Sequence, residues 1–274
     1  MAGVELTPVE EAWVYTACPG CLAIRVYVPG GGFDCDWCWW RELRSLDAAY
    51  AEVDRGFLED KLWVTRAEAL IIDGPEPLSV VEPRALCELV EGLGVVVVVR
   101  GLGLLEPSVY HEASRCVHLF SVDVSALLAE EKPRGYTRVL EVIGDEALNV
   151  EVYAVYARRG AKAVIGGLAR RGRPVVVDPR EGFEDEARGF VEEARRRGLL
   201  VYLHGDSSYT LMDVHCPRCR EVLVERRPWR VVRRYEPPAR PSRVRCPRCG
   251  YETPLVDRRP VWRPRSAVRR VRLL

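Results

Sequence analysis

Hydrophobic and polar positions follow a repeating order between Leu22 and Asp206, where short β-branched runs are separated by longer amphipathic segments. The apolar runs predict strands, which read LAIRVYV from Leu22, ALIID from Ala69, VVVVV from Val95, VHLFSVD from Val117, VEVYAVY from Val150, PVVVD from Pro174 and LLVYLH from Leu199. The amphipathic segments predict helices over residues 41–60, 82–91, 135–147, 161–171 and 184–197. This alternation predicts a parallel sheet covered by helices and, with six or seven units, an open or closed (β/α) barrel.

Polar residues stand where the second to seventh predicted strands end, and these residues are Asp73, Arg100, Asp123, Arg158, Asp178, His204 and Asp206. In (β/α) barrels the working groups come from these strand ends, so the pattern predicts a polar ring around one site. Asp123 and His204 are the ring members that we predict to contact a cofactor. Every strand also needs a polar residue where it leaves the core, so a structural role for each of them stays open.

The composition is typical of a folded protein without membrane spans. The 274 residues are 48% hydrophobic, which allows a sizeable core, and the longest apolar run, GVVVVV, ends at Arg100. The acidic N-terminus lacks the basic start and apolar centre of a signal peptide, which predicts a cytoplasmic location. The chain has no glutamine, one asparagine, and 38 arginines against three lysines, a bias that fits a thermophilic source or GC-rich coding.

Charge is divided unequally along the chain, although the net charge is only +1. Residues 214–274 contain 18 arginines and five acidic residues, a net charge of +13, whereas residues 1–213 carry −12. The aromatic residues among these arginines, which suit base stacking beside phosphate contacts, are Trp229, Tyr235, Tyr251 and Trp262. This region predicts an RNA or acidic protein partner, and docking on the acidic body of the same chain is the alternative.

Eight of the ten cysteines form four C-x-x-C pairs, which in a cytosolic chain indicate metal binding before disulfides. The C-terminal pairs, Cys216 with Cys219 and Cys246 with Cys249, are separated by 26 residues that include β-branched alternation. Two such knuckles can present four thiolates to a tetrahedral Zn²⁺, so we predict a zinc ribbon whose metal is structural.

The other cysteines are assigned in two groups. Cys18 with Cys21 and Cys35 with Cys38 are predicted ligands of zinc or of an iron–sulfur cluster. Two single cysteines, Cys87 and Cys116, are predicted to be buried core thiols, with a stabilising disulfide as the alternative if the source is a hyperthermophile.

The loop after the first predicted strand, GGGFDCDWCWW, and the segment IIDGPEP after the second resemble the radical S-adenosylmethionine superfamily, especially pyruvate formate-lyase-activating-like proteins. The C-terminal stretch from CPRCREVLVERRPWRVV to CPRCG looks like the tail of the group named for the AmmeMemoRadiSam system. The resemblance spans residues 22–250. It implies a partial (β/α) barrel with a C-terminal zinc ribbon, a [4Fe-4S] cluster held by three loop cysteines, and S-adenosylmethionine bound at the open iron.

The chain departs from the family at the cluster loop. The family's C-x3-C-x2-C motif places its last two cysteines on Cys35 and Cys38, but its first falls on Gly31. The glycine-glycine-glutamate motif, which in the family binds the methionyl amino group, matches Gly74 and Glu76 with a proline between them. Two thiolates do not readily hold a four-iron cluster, so we predict an incomplete radical loop.

Cys18 and Cys21 could complete a four-thiolate site with the loop pair, because only 13 residues intervene between Cys21 and Cys35. A full strand over residues 22–28 would instead carry the chain roughly 20 Å away, at about 3.3 Å per residue. Two arrangements stay open: a shorter strand with one shared site, or a separate site for Cys18 and Cys21 at the bottom of the barrel.

Three hypotheses for function remain. The first is a divergent radical-SAM-like metalloprotein that keeps metal and a nucleotide-like ligand, has lost 5′-deoxyadenosyl radical chemistry, and binds RNA or protein through its basic region. The second is an active enzyme whose cluster uses an unusual cysteine set, and the third is a structural zinc protein of a larger assembly. The predicted organisation is an N-terminal segment (1–21), a barrel (22–206), a zinc ribbon (207–257) and a basic tail (258–274).

Overall fold

The computed structural model of the chain describes residues 3–28, 53–125, 136–157, 161–228 and 230–259, and the backbone of residues 271–273. Its strands, in chain order, are β1 Gly3–Pro8, β2 Leu22–Tyr27, β3 Ala69–Asp73, β4 Val96–Gly101, β5 Leu119–Asp123, β6 Val150–Tyr156, β7 Val175–Pro179, β8 Val201–Leu203, β9 Val214–His215, β10 Val222–Arg227, β11 Arg230–Arg233, β12 Ser242–Arg245, β13 Glu252–Asp257 and β14 Val271–Leu273. Nine of them form the main sheet, in the order β14-β1-β2-β3-β4-β5-β6-β7-β8. Strands β2 to β8 are parallel, whereas β1 is antiparallel to both β2 and β14.

Helices cover one face of this sheet, which we call the outer face. They are α1 Arg55–Thr65, α2 Pro83–Val90, α3 Pro107–Ala113, α4 Tyr136–Gly144, α5 Ala161–Arg170 and α6 Glu184–Arg196. Alternate strand residues such as Leu70 and Val97 pack there against helix residues such as Leu58 and Leu86. This period of two follows from the pleat of the strands, which sends successive side chains to opposite faces.

The opposite, inner face is covered by the chain's own N-terminal region. Residues 9–21, which we call the interior segment, begin with a short 3₁₀ turn at Val9–Ala12 and run along the inside of the sheet. Val9, Val14 and Ala17 pack there against Ile71 and Val98. The interior of the partial barrel is therefore filled by protein at the end where the strands begin.

A small C-terminal module, residues 207–259, closes the rest of the inner face. It contains a three-stranded sheet ordered β11-β10-β9 and the hairpin β12-β13. Its Leu223 and Leu255 belong to the same core as Tyr15 of the interior segment and Tyr153 and Val176 of the barrel. The described part of the arginine-rich region, residues 214–259, thus packs on the body of its own chain.

A buried arginine secures this contact. Arg226 on β10 is almost fully buried, lies 3.2 Å from the carboxylate of Glu10, and donates to the carbonyl oxygen of Tyr15 at 3.0 Å. Because both partners belong to the interior segment, the module and that segment hold each other in place.

The predicted α/β class, the partial barrel and the C-terminal ribbon are confirmed. The sequence pattern does not predict β1, which lies in the acidic start of the chain, or α3, whose seven residues are too few to show a helical period. The first predicted helix is wrong at its end, because α1 runs from Arg55 to Thr65 and residues 41–52 lie outside the described ranges. Strands β1 and β14 join the predicted N-terminal segment and tail to the barrel sheet.

Across the described ranges, every helix is too short or too polar to cross a membrane.

Candidate functional site

Four charged residues lie towards the carboxyl ends of neighbouring strands on the inner face. Arg25 on β2 binds Asp73 on β3 through Nε at 2.7 Å and through a terminal nitrogen at 2.5 Å. Arg100 on β4 lies 3.4 Å from Asp73 and 3.9 Å from Asp123 on β5. All four side chains are buried, where ions are tolerated only when they are paired. Three members of the predicted polar ring therefore meet at these strand ends. Asp206 instead pairs with Arg188 on α6, and Arg158 lies outside the described residues.

The indole of Trp13 lies against this ring. The guanidinium carbons of Arg100 and Arg25 are 4.6 and 5.2 Å from its ring centroid. The rings of Tyr153 and His204 lie 5.4 and 5.9 Å from it. Trp13 has a φ of 57°, a left-handed conformation that is uncommon for a bulky residue and is held only where its surroundings fix it. The interior segment thus places an aromatic side chain between the two arginines, Tyr153 and His204.

Hydrogen bonds hold the aromatic side of the ring. The Tyr15 hydroxyl lies 3.0 Å from Nδ1 of His204, and the Tyr153 hydroxyl donates to Asp178 at 2.6 Å. Burial lowers the pKa of His204, against the opposing charge of Asp178. The ring therefore favours a neutral imidazole at this position.

Asp123 is in the same network. Burial raises the pKa of its carboxyl group, and the charge of Arg100 and the hydrogen bonds from Ser125 oppose that rise. The structure thus brings together Asp123 and His204, the two ring members predicted to contact a cofactor, around Trp13. Their cofactor role stays a prediction.

Gly74 and Glu76 lie in the loop after β3, as the sequence predicts. A side chain at Gly74 would meet the carbonyl oxygen of Val28 at 2.3 Å, so only glycine permits this close approach of the backbone. The Glu76 carboxylate accepts hydrogen bonds from the Leu104 N–H at 2.8 Å and the Tyr110 hydroxyl at 3.0 Å. Burial raises the pKa of Glu76 to about 7, although these hydrogen bonds oppose the rise. Glu76 thus fixes α3 and the loop before it.

Glu151 on β6 fixes the interior segment. Its carboxylate accepts from the N–H groups of Tyr15 and Thr16, at 3.1 and 2.8 Å, and from the Thr16 hydroxyl at 2.8 Å. Burial raises the pKa of Glu151 to about 7, against the effect of these bonds and of Arg226. A single buried carboxylate therefore ties the interior segment to the barrel.

The four C-terminal cysteines meet as predicted. Their sulfur atoms all lie within 4.8 Å of one another, with 3.7 Å between Cys216 and Cys249 and 3.5 Å between Cys219 and Cys246. Four sulfurs at about 2.3 Å from one Zn²⁺ are about 3.8 Å apart in a tetrahedron, so this set fits the metal. These cysteines would hold Zn²⁺ and tie β9–β10 to the β12–β13 hairpin.

The N-terminal cysteines do not form a metal site in the residues that the structure describes. Cys18 and Cys21 form a disulfide at the end of the sheet where the strands begin, since Cys21 directly precedes β2. Of the two arrangements left open, the structure therefore has the full-length strand, with Cys18 and Cys21 at the bottom of the barrel. The prediction of free thiols at Cys87 and Cys116 is wrong, because α2 packs near enough to the start of β5 for a disulfide. Gly31, Cys35 and Cys38 lie outside the described residues.

Several residues of this site were not predicted from the sequence, chiefly Trp13, Arg25, Tyr153 and Glu151. Two of them could have been found from the sequence, because Arg25 and Glu151 are charged residues inside otherwise apolar strands. A charge at such a position is buried and must find a partner. Trp13 could not have been found in this way, because no sequence pattern indicates that the irregular segment around it runs inside the barrel.

Comparison with known proteins finds a likeness among solved structures. No protein-family model matches the chain, and neither does any curated protein. Among solved structures, the chain is similar to Streptococcus suis SuiB bound to S-adenosylmethionine, with a TM-score of 0.43 and 12% identity. The match covers 57% of this chain and 44% of SuiB, so the chain spans less than half of that protein.

Proposed function

We propose that the chain is a divergent relative of radical S-adenosylmethionine enzymes that no longer cleaves S-adenosylmethionine, and that its arginine-rich C-terminal module binds single-stranded RNA. In this proposal the four C-terminal cysteines hold a structural Zn²⁺. The partial barrel then serves as a rigid support for the module.

The hydrogen bonds of the Glu76 carboxylate carry the first part of this proposal, the loss of S-adenosylmethionine cleavage. In the resembled family, the matching glutamate binds the methionyl amino group of S-adenosylmethionine. Here each carboxylate oxygen accepts a hydrogen bond from the chain itself, one from Tyr110 and one from Leu104. The side chain is also only 5% exposed, so a ligand amine would have to break buried hydrogen bonds before it could bind.

The position of Trp13 supports the same conclusion. Its indole packs against Arg100 and Tyr153 at strand ends where a (β/α) barrel binds its ligand. Because Glu151 and the buried Arg226 bind its backbone, the segment that carries this indole cannot move away without breaking several buried hydrogen bonds.

Equilibrium dialysis with labelled S-adenosylmethionine tests this half. We expect a dissociation constant weaker than about 1 mM, which is equivalent to less than about 4 kcal/mol of binding. The Glu76→Gln variant should give the same result as the wild type, because Glu76 does not face the ligand. Binding tighter than this that is lost in Glu76→Gln would refute the proposal and restore the family's role for this residue.

The charge of the module supports RNA binding. Residues 214–259 contain 13 arginines and five acidic residues, a net charge of +8. Three exposed arginines, Arg218, Arg230 and Arg240, form no ion pair with any residue that the structure describes. Tyr251 is 41% exposed directly after the second knuckle, where a base could stack on it. Exposed arginines without an ion pair among the described residues, together with an exposed aromatic ring in the same module, favour a single-stranded nucleic acid.

Fluorescence anisotropy with a labelled single-stranded RNA tests this half over a series of salt concentrations. If the three arginines each neutralise one phosphate, replacing all three with alanine should reduce the slope of log K against log salt by about 2, at roughly 0.7 per phosphate. The matched control replaces Arg55 and Arg84, which form exposed ion pairs on α1 and α2, and should keep the wild-type slope. Equal slopes in both variants would refute the assignment, and displacement by polyglutamate but not by RNA would indicate an acidic protein partner.

A further inference from the structure

The turn Cys18-Pro-Gly-Cys21 lies where the interior segment meets the C-terminal module. The N–H of Cys18 donates to the carbonyl oxygen of Val256 on β13, and the N–H of Val256 donates to the carbonyl oxygen of Thr16, both at 2.8 Å. A side chain at Gly20 would lie 2.9 Å from Val231 on β11, so the turn also packs closely on the module's other sheet. A conformational change in this turn would therefore alter its contacts with both sheets of the module.

This turn does not have the geometry of the two metal knuckles, although all three share the sequence Cys-Pro-x-Cys. In the knuckles, the residue after the second cysteine has a positive φ, 61° at Arg220 and 71° at Gly250, and its N–H donates to the carbonyl oxygen of the first cysteine. In the N-terminal turn positive φ values occur at Cys18 (44°) and Gly20 (73°), and the N–H of Cys21 donates to the carbonyl oxygen of Cys18. Proline followed by a glycine of positive φ is a type II turn, which brings the two cysteines together across a single reverse turn.

The acidic group beside this turn is already engaged. Asp257 has an oxygen within 4.8 Å of both sulfurs, which makes it the third ligand of a conceivable metal site. Its Oδ2 accepts from Nε of Arg233 at 2.7 Å and from the Tyr235 hydroxyl at 2.5 Å, and its Oδ1 accepts from the N–H of Arg258 at 2.8 Å.

Arg233 faces the sulfurs as well as Asp257. One of its terminal nitrogens lies 3.5 Å from Sγ of Cys21. A divalent cation would have to displace or approach this guanidinium, whereas a sulfur that gains negative charge would be stabilised by it. The surroundings of the pair therefore favour sulfur redox chemistry over metal binding.

We propose that Cys18 and Cys21 form a thiol–disulfide exchange site whose oxidation state controls the docking of the C-terminal module on the barrel. The co-reactant is a dithiol. One of its thiolates attacks Sγ of Cys18, the S–S bond breaks, and the electron pair passes to Sγ of Cys21, which leaves as a thiolate beside Arg233. The second thiol of the reductant then attacks its own sulfur in the mixed disulfide, releases Cys18 and leaves the reductant oxidised, so two electrons and two protons reach the protein.

Because Cys18 and Cys21 are buried, their reduction depends on movement of the C-terminal module. Cys18 is fully buried and Cys21 is 2% exposed, so a dithiol reaches Cys18 only when the contacts of the turn with β11 and β13 open. Once the disulfide is broken, the turn loses the bond that holds its ends together, and the docked module becomes easier to release. Reduction and undocking should therefore favour each other.

Differential alkylation of the full-length, metal-loaded protein tests the proposal. The purified protein is denatured and treated with iodoacetamide, then reduced and treated with N-ethylmaleimide, and its peptides are mapped. In protein that has not been exposed to dithiothreitol, Cys18 and Cys21 should react with N-ethylmaleimide. After the native protein is treated with dithiothreitol, the same two cysteines should react with iodoacetamide, and no bound metal should be lost. The reduced protein should also be cut several-fold faster by trypsin within residues 207–259.

Two double variants separate this proposal from its alternatives. Replacing Cys18 and Cys21 with serine should leave the metal content unchanged and give the fast tryptic cleavage without any reductant. Replacing Cys87 and Cys116 with serine removes the other disulfide, which lies between α2 and β5, and should leave cleavage of the module slow. Each of three results would overturn the proposal: reaction of Cys18 and Cys21 with iodoacetamide in the untreated protein, loss of one metal equivalent in their serine variant, or unchanged tryptic cleavage after reduction. The first of these is measured on the wild-type protein and does not require the variants to fold.

Discussion

The buried carboxylate of Glu76 should make the stability of the fold depend on pH. Its pKa rises from the ordinary 4.5 to about 7 in the folded chain because burial disfavours the charged form. Since the folded state holds the proton more tightly than the unfolded state, this contribution to stability is present in full below about pH 4.5 and is lost as the pH rises through about 7. At roughly 1.4 kcal/mol for each unit of pKa, the difference amounts to about 3 kcal/mol.

The Glu76→Gln variant isolates this contribution. A glutamine amide can accept from the Leu104 N–H through its oxygen and donate to the Tyr110 hydroxyl through its nitrogen, so the local geometry is kept without a titrating group. The unfolding free energy of wild type minus variant, measured by urea denaturation, should fall by about 3 kcal/mol between about pH 5 and pH 8.

A matched variant controls for general effects of charge. Glu112→Gln removes an exposed carboxylate from α3, the helix that carries Tyr110, and should give a profile parallel to that of the wild type. If the difference in unfolding free energy between wild type and Glu76→Gln stays constant over this pH range, burial does not raise the pKa of Glu76, because ionising the carboxylate then costs no stability.

Three further substitutions test separate parts of the structure. Gly74→Ala should lower the unfolding free energy by about 3 kcal/mol because its Cβ would lie 2.3 Å from a backbone oxygen, whereas Gly167→Ala on α5, with no atom within 4 Å, should stabilise the protein by up to about 1 kcal/mol. Cys216→Ser should abolish zinc retention after dialysis, measured by elemental analysis, and retention at the wild-type level would exclude it as a ligand. Arg25→Met should lower the unfolding free energy by about 3 kcal/mol because it breaks a buried ion pair, and the double variant with Asp73→Asn should recover part of this loss; no recovery would show that the pair is not the cause.

The barrel could be predicted because its strands and helices repeat a local pattern. Each β-branched run is bounded by polar or turn residues, so the sequence alone places β2 to β8 within one or two residues. The four-cysteine site followed from spacing, because C-x-x-C knuckles determine their own local geometry. Both features depend on residues that are close in sequence.

The interior of the barrel could not be predicted in this way. Trp13 meets Arg100 and Tyr153 through contacts that span many residues, and no local pattern encodes them. The disulfide between Cys87 and Cys116 likewise joins residues 29 positions apart on separate elements. The shared sequence Cys-Pro-x-Cys also folds in two ways, and the two turns differ in which residues have a positive φ.

Loss of radical chemistry is tested most directly by the amount of 5′-deoxyadenosine that the anaerobically reconstituted, dithionite-reduced protein forms from S-adenosylmethionine. Because Glu76 is bound to Tyr110 and Leu104, Trp13 packs against the polar ring, and Gly31 stands where the resembled family has a cysteine, we expect no product above a protein-free blank. Product formed by the wild-type protein and lost in the Cys35→Ala variant would contradict this expectation.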